Sequence, residues 1–278
     1  MVDLSEVQEA ILRAGMQWSA ERTEVSDRLA PGVEGFLGLN MMEEERLELI
    51  GGLFAAFVPP AVAPPPPGID WRDKDGQNWV APIRNQNPCG SCVAFATVAT
   101  LESRLAIAAG EPPPVDLSEA HLFFCGAGAA CATGWNFEPA LSQCRDVGVG
   151  LESDFPYVPA NQPCRNIPSR AFVRDGWNTP VHTVHRKWAI VNNGPVIAGM
   201  RVFEDFGYYA GGVYRHAAGT YLGLHAVCVV GYNDPGQFWI VKNSWGENWG
   251  EQGYFRIGYD QCGLDGEFPF YDPLAYEV

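Results

Sequence analysis

Residues 85–92, with the sequence NQNPCGSC, carry two cysteines three positions apart. The proline and glycine in this stretch predict a bent loop. An apolar run at helical spacing follows, formed by Val98, Leu101 and Leu105, and it predicts a helix that begins near Cys92. The free backbone amides and the dipole at a helix N-terminus favour a thiolate over a thiol. Cys92 is therefore predicted to be a reactive nucleophile.

A cysteine nucleophile needs a base, and the base needs a group that orients it. Among the five histidines, His225 stands out because it starts a strongly apolar predicted strand. Asn243 ends the next predicted strand, beyond a turn at residues 233–236, and its side-chain carbonyl can accept the imidazole N–H. Gln86 lies six residues before Cys92. Its amide is placed to donate to an oxyanion, with the backbone N–H of Cys92 as the second donor.

Five short segments stand in a fixed order along the chain. They are residues 70–72, 86–95, 193–196, 225–227 and 242–246. In this order they resemble the corresponding segments of papain-like cysteine peptidases. Cys92 and His225 are 133 residues apart, which is within the spacing expected for that family. The ordered set is far more specific than any single segment.

The resemblance implies an enzyme that hydrolyses peptide bonds through an acyl-enzyme on Cys92. It implies that His225 acts as the base and then as the acid. Asn243 would orient His225, and Gln86 would donate to the oxyanion. Trp245 would shield the hydrogen bond between His225 and Asn243 from water. The residues implied at the substrate site are Gly134, Gly199, Leu224, Trp245 and Glu267.

The resemblance also suggests a specificity. Glu267 stands five residues after Cys262, and the matching position in the family reaches the floor of the main specificity pocket. Gly199 and Met200 would belong to the opposite wall. We therefore expect the pocket to admit a basic side chain as well as apolar ones.

Eight cysteines raise the question of the redox compartment. The resemblance implies disulfides between Cys89 and Cys131 and between Cys125 and Cys164. Three further cysteines are left without an assigned partner; they are Cys144, Cys228 and Cys262. Bridges favour an oxidising environment, so we expect a secreted or otherwise extracytoplasmic protein, although no signal peptide is visible at the start of the sequence.

Three positions depart from the family pattern. Val93 replaces the usual aromatic residue after the nucleophile, which predicts looser packing there. Leu224 stands where many relatives have an acidic or polar residue before the histidine, so the pH range of the Cys–His pair is expected to differ. Residues 131–134, CATG, replace the family's C-N-G-G. Only Gly134 keeps a glycine that allows close approach of a substrate backbone.

Composition excludes several classes of protein. The 278 residues are 47% hydrophobic and 12% aromatic, which fits a globular protein. A net charge of −15 makes nucleic acid a poor partner. The apolar run at 49–58 is too short to cross a membrane. We expect a monomer that acts on polypeptides, with no metal or cofactor.

The order of predicted elements indicates an α+β architecture. The resemblance implies a two-lobed papain-like fold with its active site in the cleft between the lobes. Residues 67–278 would form this peptidase domain, with a helical lobe at about 78–180 and an antiparallel, β-barrel-like lobe at about 181–278. Residues 125–165, rich in glycine, cysteine and proline, are expected to be mostly loop.

Residues 1–66 are predicted to be a helical pro-segment that acts as an intramolecular inhibitor. An amphipathic helix is predicted at 3–19, with Leu4, Val7, Ile11 and Trp18 on its apolar side and a Ser5–Gln8 capping box. A second helix is predicted at about 41–50. Residues 58–68 contain four consecutive prolines and are predicted to be a semi-rigid polyproline spacer. The alternative is a ligand for an SH3-type domain.

Three other functions use the same residues. A thiol–disulfide oxidoreductase could use Cys89 and Cys92 as a C-x-x-C pair. A zinc-stabilised binding protein could use Cys89, Cys92, Cys125 and Cys131. An acyl transferase or peptide ligase would need the same residues as a hydrolase, so the sequence does not separate the two.

Overall fold

A computed structural model describes residues 2–29, 35–41, 51, 63–112, 115–126, 128–274 and 276–277. Five α-helices have bounds within these ranges: α1 Leu4–Ala14, α2 Cys92–Ala109, α3 Glu119–Phe124, α4 Phe137–Asp146 and α5 Thr183–Asn193. The helix predicted at about 41–50 lies outside the described residues, apart from Met41, and so does the first half of the predicted spacer.

The strands within the described residues are β1 Trp18–Ala20, β2 Gly68–Asp70, β3 Val149–Gly150, β4 Ser169–Val173, β5 Trp177–Asn178, β6 Val196–Phe203, β7 Tyr209–Tyr214, β8 Tyr221–Asn233, β9 Phe238–Lys242, β10 Tyr254–Gly258, β11 Phe270–Pro273 and β12 Tyr276–Glu277. The larger sheet has the order β1-β7-β10-β9-β8-β6-β11-β5, and β2 pairs with β8. A small sheet has the order β12-β4-β3. Among these strands, pairing is antiparallel except between β7 and β10. The α+β prediction is confirmed.

Helix α2 carries Cys92 as its first residue and is apolar on nearly all sides. By length and composition alone it could cross a membrane, yet 83% of it is buried inside the protein. It packs against β8 and against α3 and α4, which explains why it needs no polar face. The helix ends at Gly110, whose φ of 70° suits glycine. This packing points the N-terminus of α2 at the central strand of the sheet.

Two apolar cores flank the cleft. One lies among α2, α3 and α4 and includes Leu101, Phe123, Phe137 and Leu141. The other lies in the sheet and includes Phe206, Tyr214, Trp239 and Trp249. Cys92 belongs to the first core and Trp245 to the second. The predicted catalytic residues therefore meet where the two lobes join.

The N-terminal helix is shorter than the sequence predicts. Helix α1 ends at Ala14 because Gly15 adopts a left-handed conformation with φ 63°. The capping box is formed by Asp3 and Glu6, rather than by the predicted pair Ser5 and Gln8. An aspartate at this position caps as well as a serine does.

Trp18 lies on a strand, not on the predicted helix. It begins β1, which pairs antiparallel with β7 and so extends the large sheet. The indole packs edge-on against Tyr214, with ring centroids 5.1 Å apart, and the residue is 5% exposed. The N-terminal segment is thus attached to the β lobe by both backbone hydrogen bonds and an aromatic contact.

A buried ion pair joins the helical lobe to the last strand of the sheet. Arg104 on α2 and Asp272 on β11 approach to 2.8 Å, with side chains 0% and 4% exposed. Arg104 Nε also donates to the carbonyl of Pro195 at 2.6 Å. Asp272 accepts two further hydrogen bonds from Asn193, at 3.0 and 3.1 Å. The two charges therefore hold α2 against the sheet with most of their hydrogen-bonding capacity satisfied.

Replacing Asp272 with asparagine should destabilise the protein strongly. We expect the free energy of unfolding to fall by about 3–5 kcal/mol, because a buried guanidinium loses its compensating charge. Urea titration followed by tryptophan fluorescence measures the change. The matched control is Asp146→Asn, which breaks an exposed pair with Arg145 and should leave the midpoint unchanged. Equal effects from the two variants would contradict a role for the buried pair.

Candidate active site

The candidate nucleophile sits at the beginning of α2 with no exposed surface. Cys92 is a free thiol and is 0% exposed. The backbone N–H of Ala226, on β8, donates to Cys92 Sγ at 3.4 Å. Val93 is also 0% exposed, so the position after the nucleophile is buried without an aromatic ring, and looser packing there stays a prediction. The loop before α2 thus delivers the thiol to the interface between the lobes.

His225 and Asn243 face each other on neighbouring strands. His225 lies on β8, and Asn243 follows β9, which pairs antiparallel with β8. His225 Nε2 and Asn243 Oδ1 are 2.8 Å apart. Trp245 packs over the imidazole with centroids 4.9 Å apart and is 3% exposed. His225 Nδ1 has no hydrogen-bond partner among the described residues, so the hydrogen bond to Asn243 fixes the ring.

Gln86 is fully buried and is held at both ends of its amide. Its Oε1 accepts from Ser244 Oγ at 2.6 Å, and its Nε2 donates to the carbonyl of Cys89 at 2.9 Å. Tyr157 Oη donates to the backbone carbonyl of Gln86 at 2.8 Å and lies 2.8 Å from Ser91 Oγ. Tyr157 thus ties the loop before Cys92 to residues far along the chain.

Residues 35–40 of the N-terminal segment fill the cleft between these groups. Gln86 Nε2 lies 3.3 Å from the carbonyl oxygen of Phe36 and 3.4 Å from that of Gly35. The ring of Phe36 meets Trp245 edge-on, with centroids 6.1 Å apart. The carbonyls of Gly35 and Phe36 therefore accept from Gln86 Nε2, the group that was predicted to donate to an oxyanion.

The segment is held to both walls of the cleft by backbone hydrogen bonds. Trp135 N–H donates to the carbonyl of Gly38 at 2.8 Å, and Asn40 N–H donates to the carbonyl of Trp135 at 2.7 Å. On the other wall, Leu39 N–H donates to the carbonyl of Leu224 at 3.4 Å. The pairing of Leu39 with Trp135 is parallel.

Close backbone contact in the cleft requires glycine on both sides. A Cβ atom on Gly38 would stand 2.0 Å from the carbonyl oxygen of Gly90. A Cβ atom on Gly134, which has φ 69°, would stand 2.2 Å from the carbonyl oxygen of Gly38. Both distances are far below any allowed contact. Gly134 thus permits a close backbone approach, and here the approaching chain is the N-terminal segment.

Leu39 reaches the position predicted for the specificity pocket. A Cβ atom on Gly199 would stand 2.8 Å from both Leu39 Cδ2 and Phe268 Cδ1, and Phe268 is 0% exposed. Glu267 is 38% exposed at its side chain and pairs with Arg201, with 2.7 Å between Arg201 Nε and Glu267 Oε2. The side chain that Leu39 meets beside Gly199 is thus Phe268. The carboxylate of Glu267 forms an ion pair with Arg201 instead.

Met200 does not line that pocket. Consecutive strand residues point to opposite faces, and Met200, next to Gly199 on β6, belongs to the apolar core of the β lobe. The expectation that Met200 forms part of the pocket wall is therefore wrong.

Burial disfavours the charged forms of both the thiol and the imidazole. Burial raises the pKa of the Cys92 thiol to about 11 and lowers the pKa of His225 to about 4, although the hydrogen bond that His225 donates to Asn243 acts in the opposite direction. The backbone of Gly38 is among the groups that donate toward Cys92, too weakly to offset its burial. Burial thus opposes the ionised thiol at this covered site, and the reactive thiolate at Cys92 stays a prediction.

The disulfides separate the two cysteines of the C-x-x-C stretch. Cys89 is bonded to Cys131, and Cys125 is bonded to Cys164. Cys92 is therefore not the redox partner of Cys89, as a C-x-x-C oxidoreductase would need. Three of the four proposed zinc ligands are consumed in disulfides, which removes the zinc-site alternative. Cys144 and Cys228 are buried thiols, and Cys262 is a partly buried one.

Sequence reasoning missed Tyr157, Ser244 and Phe268. Tyr157 carries no motif, and its contact with Gln86 joins positions 71 residues apart. Ser244 stands in a recognised segment, but its hydrogen bond to Gln86 spans 158 residues. Phe268 follows Glu267 directly, and only the backbone conformation decides which of the two faces the pocket.

Comparisons with known proteins agree with this geometry. A family described as "Papain family cysteine protease" matches residues 65–270. Fruit bromelain from Ananas comosus is 35% identical over 197 residues, which are 69% of this chain and 54% of that protein. Pro-cathepsin H from Bos taurus is 36% identical over 226 residues, 76% of this chain and 66% of that protein. The chain thus matches between half and two thirds of the length of these relatives.

Solved structures extend the likeness to the N-terminal segment. The digestive procathepsin L2 proteinase from the Tenebrio molitor larval midgut superposes with a TM-score of 0.73 at 26% identity, covering 98% of this chain and 89% of that one. The bromelain protease from Ananas comosus in complex with the E64 inhibitor gives a TM-score of 0.64 at 34% identity, covering 75% of this chain and 98% of that one. The chain therefore belongs to the papain family of cysteine proteases.

Proposed function

We propose that this protein is a cysteine endopeptidase that is made as a self-inhibited zymogen. The observation that carries the proposal is the meeting of Cys92, Gln86 and the His225–Asn243 pair at one cleft, which residues 35–40 cover. Likeness to a procathepsin over 98% of the chain supports the zymogen part, and the family match supports the peptidase part.

In the proposed reaction, the Cys92 thiolate attacks the carbonyl carbon of a peptide bond. The oxyanion that forms accepts hydrogen bonds from Gln86 Nε2 and from the backbone N–H of Cys92. Protonated His225 gives its proton to the leaving amine, and the C–N bond breaks to leave a thioester on Cys92. His225 then takes a proton from water, which hydrolyses the thioester and releases the thiolate. Asn243 keeps the imidazole oriented in both steps.

The way residues 35–40 lie in the cleft supports a role as an inhibitor rather than as a substrate. Its pairing with Trp135 is parallel, whereas the family resemblance implies substrates that run in the opposite direction. The carbonyls of Gly35 and Phe36 lie near Gln86 Nε2, and Leu39 fills the pocket beside Gly199. The segment thus occupies the oxyanion donor and the pocket without presenting a peptide bond in the orientation needed for attack.

The disulfides and the completeness of the cleft bear on compartment and assembly. Two disulfides favour an oxidising environment, so we propose a secreted or otherwise extracytoplasmic protein. We propose that it acts as a monomer on polypeptide substrates, since the cleft is completed within one chain.

Activity of the processed chain tests the proposal directly. After removal of the N-terminal segment, the protein should hydrolyse fluorogenic peptides, and Cys92→Ala and His225→Ala should abolish this activity. Gln86→Ala should lower kcat by about 10²–10³-fold with little change in KM, because one oxyanion donor is lost. Gln77→Ala, at an exposed position, is the matched control.

Hydrolysis that persists in Cys92→Ala would refute the proposed nucleophile. Formation of new peptide bonds with an added amine, in place of hydrolysis, would favour the transferase alternative.

Arg201 and Glu267 are proposed to set the preference of the specificity pocket. Arg201→Ala removes the guanidinium that pairs with the Glu267 carboxylate. The kcat/KM for peptides with arginine at P2, relative to that for peptides with leucine at P2, should therefore increase roughly fivefold, the size expected for a partly exposed ion pair. Glu267→Ala should shift the same ratio of kcat/KM values toward leucine. Asp146→Ala, an acid on α4, is the control. Unchanged ratios in both pocket variants would exclude Glu267 from substrate selection.

A further inference from the structure

The end of the proline-rich stretch lies against the peptidase lobe in the structure. Trp188 Nε1, on α5, donates to the carbonyl of Ala63 at 2.9 Å. Tyr232 Oη, on β8, donates to the carbonyl of Pro66 at 2.7 Å. The backbone N–H of Asp234 donates to the carbonyl of Pro67 at 2.8 Å. Three carbonyls of one short stretch are therefore bound by the domain that follows it.

The spacing of these contacts matches the geometry of a polyproline helix. Such a helix has three residues per turn, so the carbonyls of Ala63 and Pro66 point to the same side. Prolines lack an N–H, which leaves carbonyls as their only backbone hydrogen-bonding groups. Indole N–H and phenol O–H groups are donors, and aromatic residues with such donors line the grooves that recognise proline-rich peptides.

Residues 68–71, which follow the prolines, are also bound to the β lobe. Gly68–Asp70 forms β2 and pairs with β8, with Gly68 opposite Asn233. Trp71 Nε1 donates to the carbonyl of Ile190 at 2.8 Å, and Ile190 lies on the same helix as Trp188. The stretch from Ala63 to Trp71 is thus continuously attached to the β lobe.

We propose that Trp188 and Tyr232 form a polyproline-binding track that retains residues 63–67 on the active enzyme, so that the activating cut falls upstream of Ala63. This inference rests on the proposed zymogen function and specifies where its N-terminal segment is severed. The cut consumes one water and leaves a carboxylate on the released segment and an amino group on the retained chain. The boundary predicted between residues 66 and 67 then moves toward the N-terminus.

Peptide bonds inside the track are poor substrates for two reasons. The bonds that precede Pro64, Pro65, Pro66 and Pro67 have a proline nitrogen as leaving group, and each ring locks φ near −65°, which restricts the fit to a cleft that binds extended chains. The bond between Pro67 and Gly68 is held at both sides, by Asp234 N–H and by the pairing of β2 with β8. Cutting there would require the strand to leave the sheet.

The position of the cut is measured by activating the full-length protein under reducing, acidic conditions until peptidase activity reaches a plateau. Intact mass and N-terminal sequencing then identify the first residue of the active chain. We expect this residue to be Ala63 or an earlier one. A chain that begins at Pro64 or later would overturn the proposal.

A second experiment tests the polyproline-binding track independently of the protein's own peptidase activity. The Cys92→Ser protein is digested with subtilisin, which supplies the cutting chemistry, and the fragments are mapped by mass. Retention of residues 63–67 on the protected domain supports the track even if the protein itself proves to have no peptidase activity. Loss of these residues from the protected domain refutes the track even if the protein is an active peptidase.

Variants that remove only the donors test the two aromatic residues. Trp188→Phe combined with Tyr232→Phe keeps both rings and deletes the N–H and the O–H. Release of residues 63–67 by subtilisin, through cuts at the bonds after Gly68 and Ile69, should become roughly thirtyfold faster, the effect of losing two ordinary hydrogen bonds. The control is Trp177→Phe, whose indole donates to Glu138 at 3.3 Å instead. Equal cleavage rates in the double variant, the control and the wild-type protein would overturn the track.

Discussion

Exclusion of water from Cys92 and His225 is the constraint on which the rest of the site depends. Beneath residues 35–40 the pKa of Cys92 is raised to about 11 and that of His225 is lowered to about 4. Between these values both groups are neutral, and moving either ion out of water costs several kcal/mol. The covered site therefore has its residues assembled, while burial opposes formation of the thiolate that attack requires. Access of water, rather than assembly of the residues, separates the covered state from a reactive one.

Such a cover works only if two backbones can approach closely. Gly38 on the segment, with Gly90 and Gly134 on the walls, provides this approach where any Cβ atom would collide. The same glycines that admit the N-terminal segment would admit a substrate backbone after the segment leaves. Two contacts then hold the segment in place. Strand β1 pairs with the edge of the sheet, and Leu39 packs in the pocket beside Gly199.

Local motifs were sufficient to predict the helix at Cys92 and the pair formed by His225 and Asn243, because adjacent strands joined by a short turn must bring their ends together. Other features depend on distant partners. Trp18 continues an apolar helical pattern, but its strand exists only because β7 offers an open edge. Helix α4 lies within the stretch expected to be loop, where Asn136 caps it and burial of its apolar side outweighs a composition rich in glycine and proline. The burial of Cys92 could not be predicted, since the covering residues lie more than fifty positions away.

The rate at which iodoacetamide alkylates Cys92 in the full-length protein tests the account most directly, with the modified residue identified by mass spectrometry. The wild-type rate should be slow at pH 7 and should rise about tenfold per pH unit toward pH 11, since only the thiolate reacts. Gly38→Val, whose side chain cannot fit beside Gly90, should expose the site and raise the rate at pH 7 by roughly 100-fold, because burial no longer raises the pKa of Cys92 to about 11. Leu12→Ala, at a position 80% exposed on α1, should behave as the wild type. Equal rates and equal pH profiles in wild type and Gly38→Val would contradict the claim that residues 35–40 hold the pair neutral.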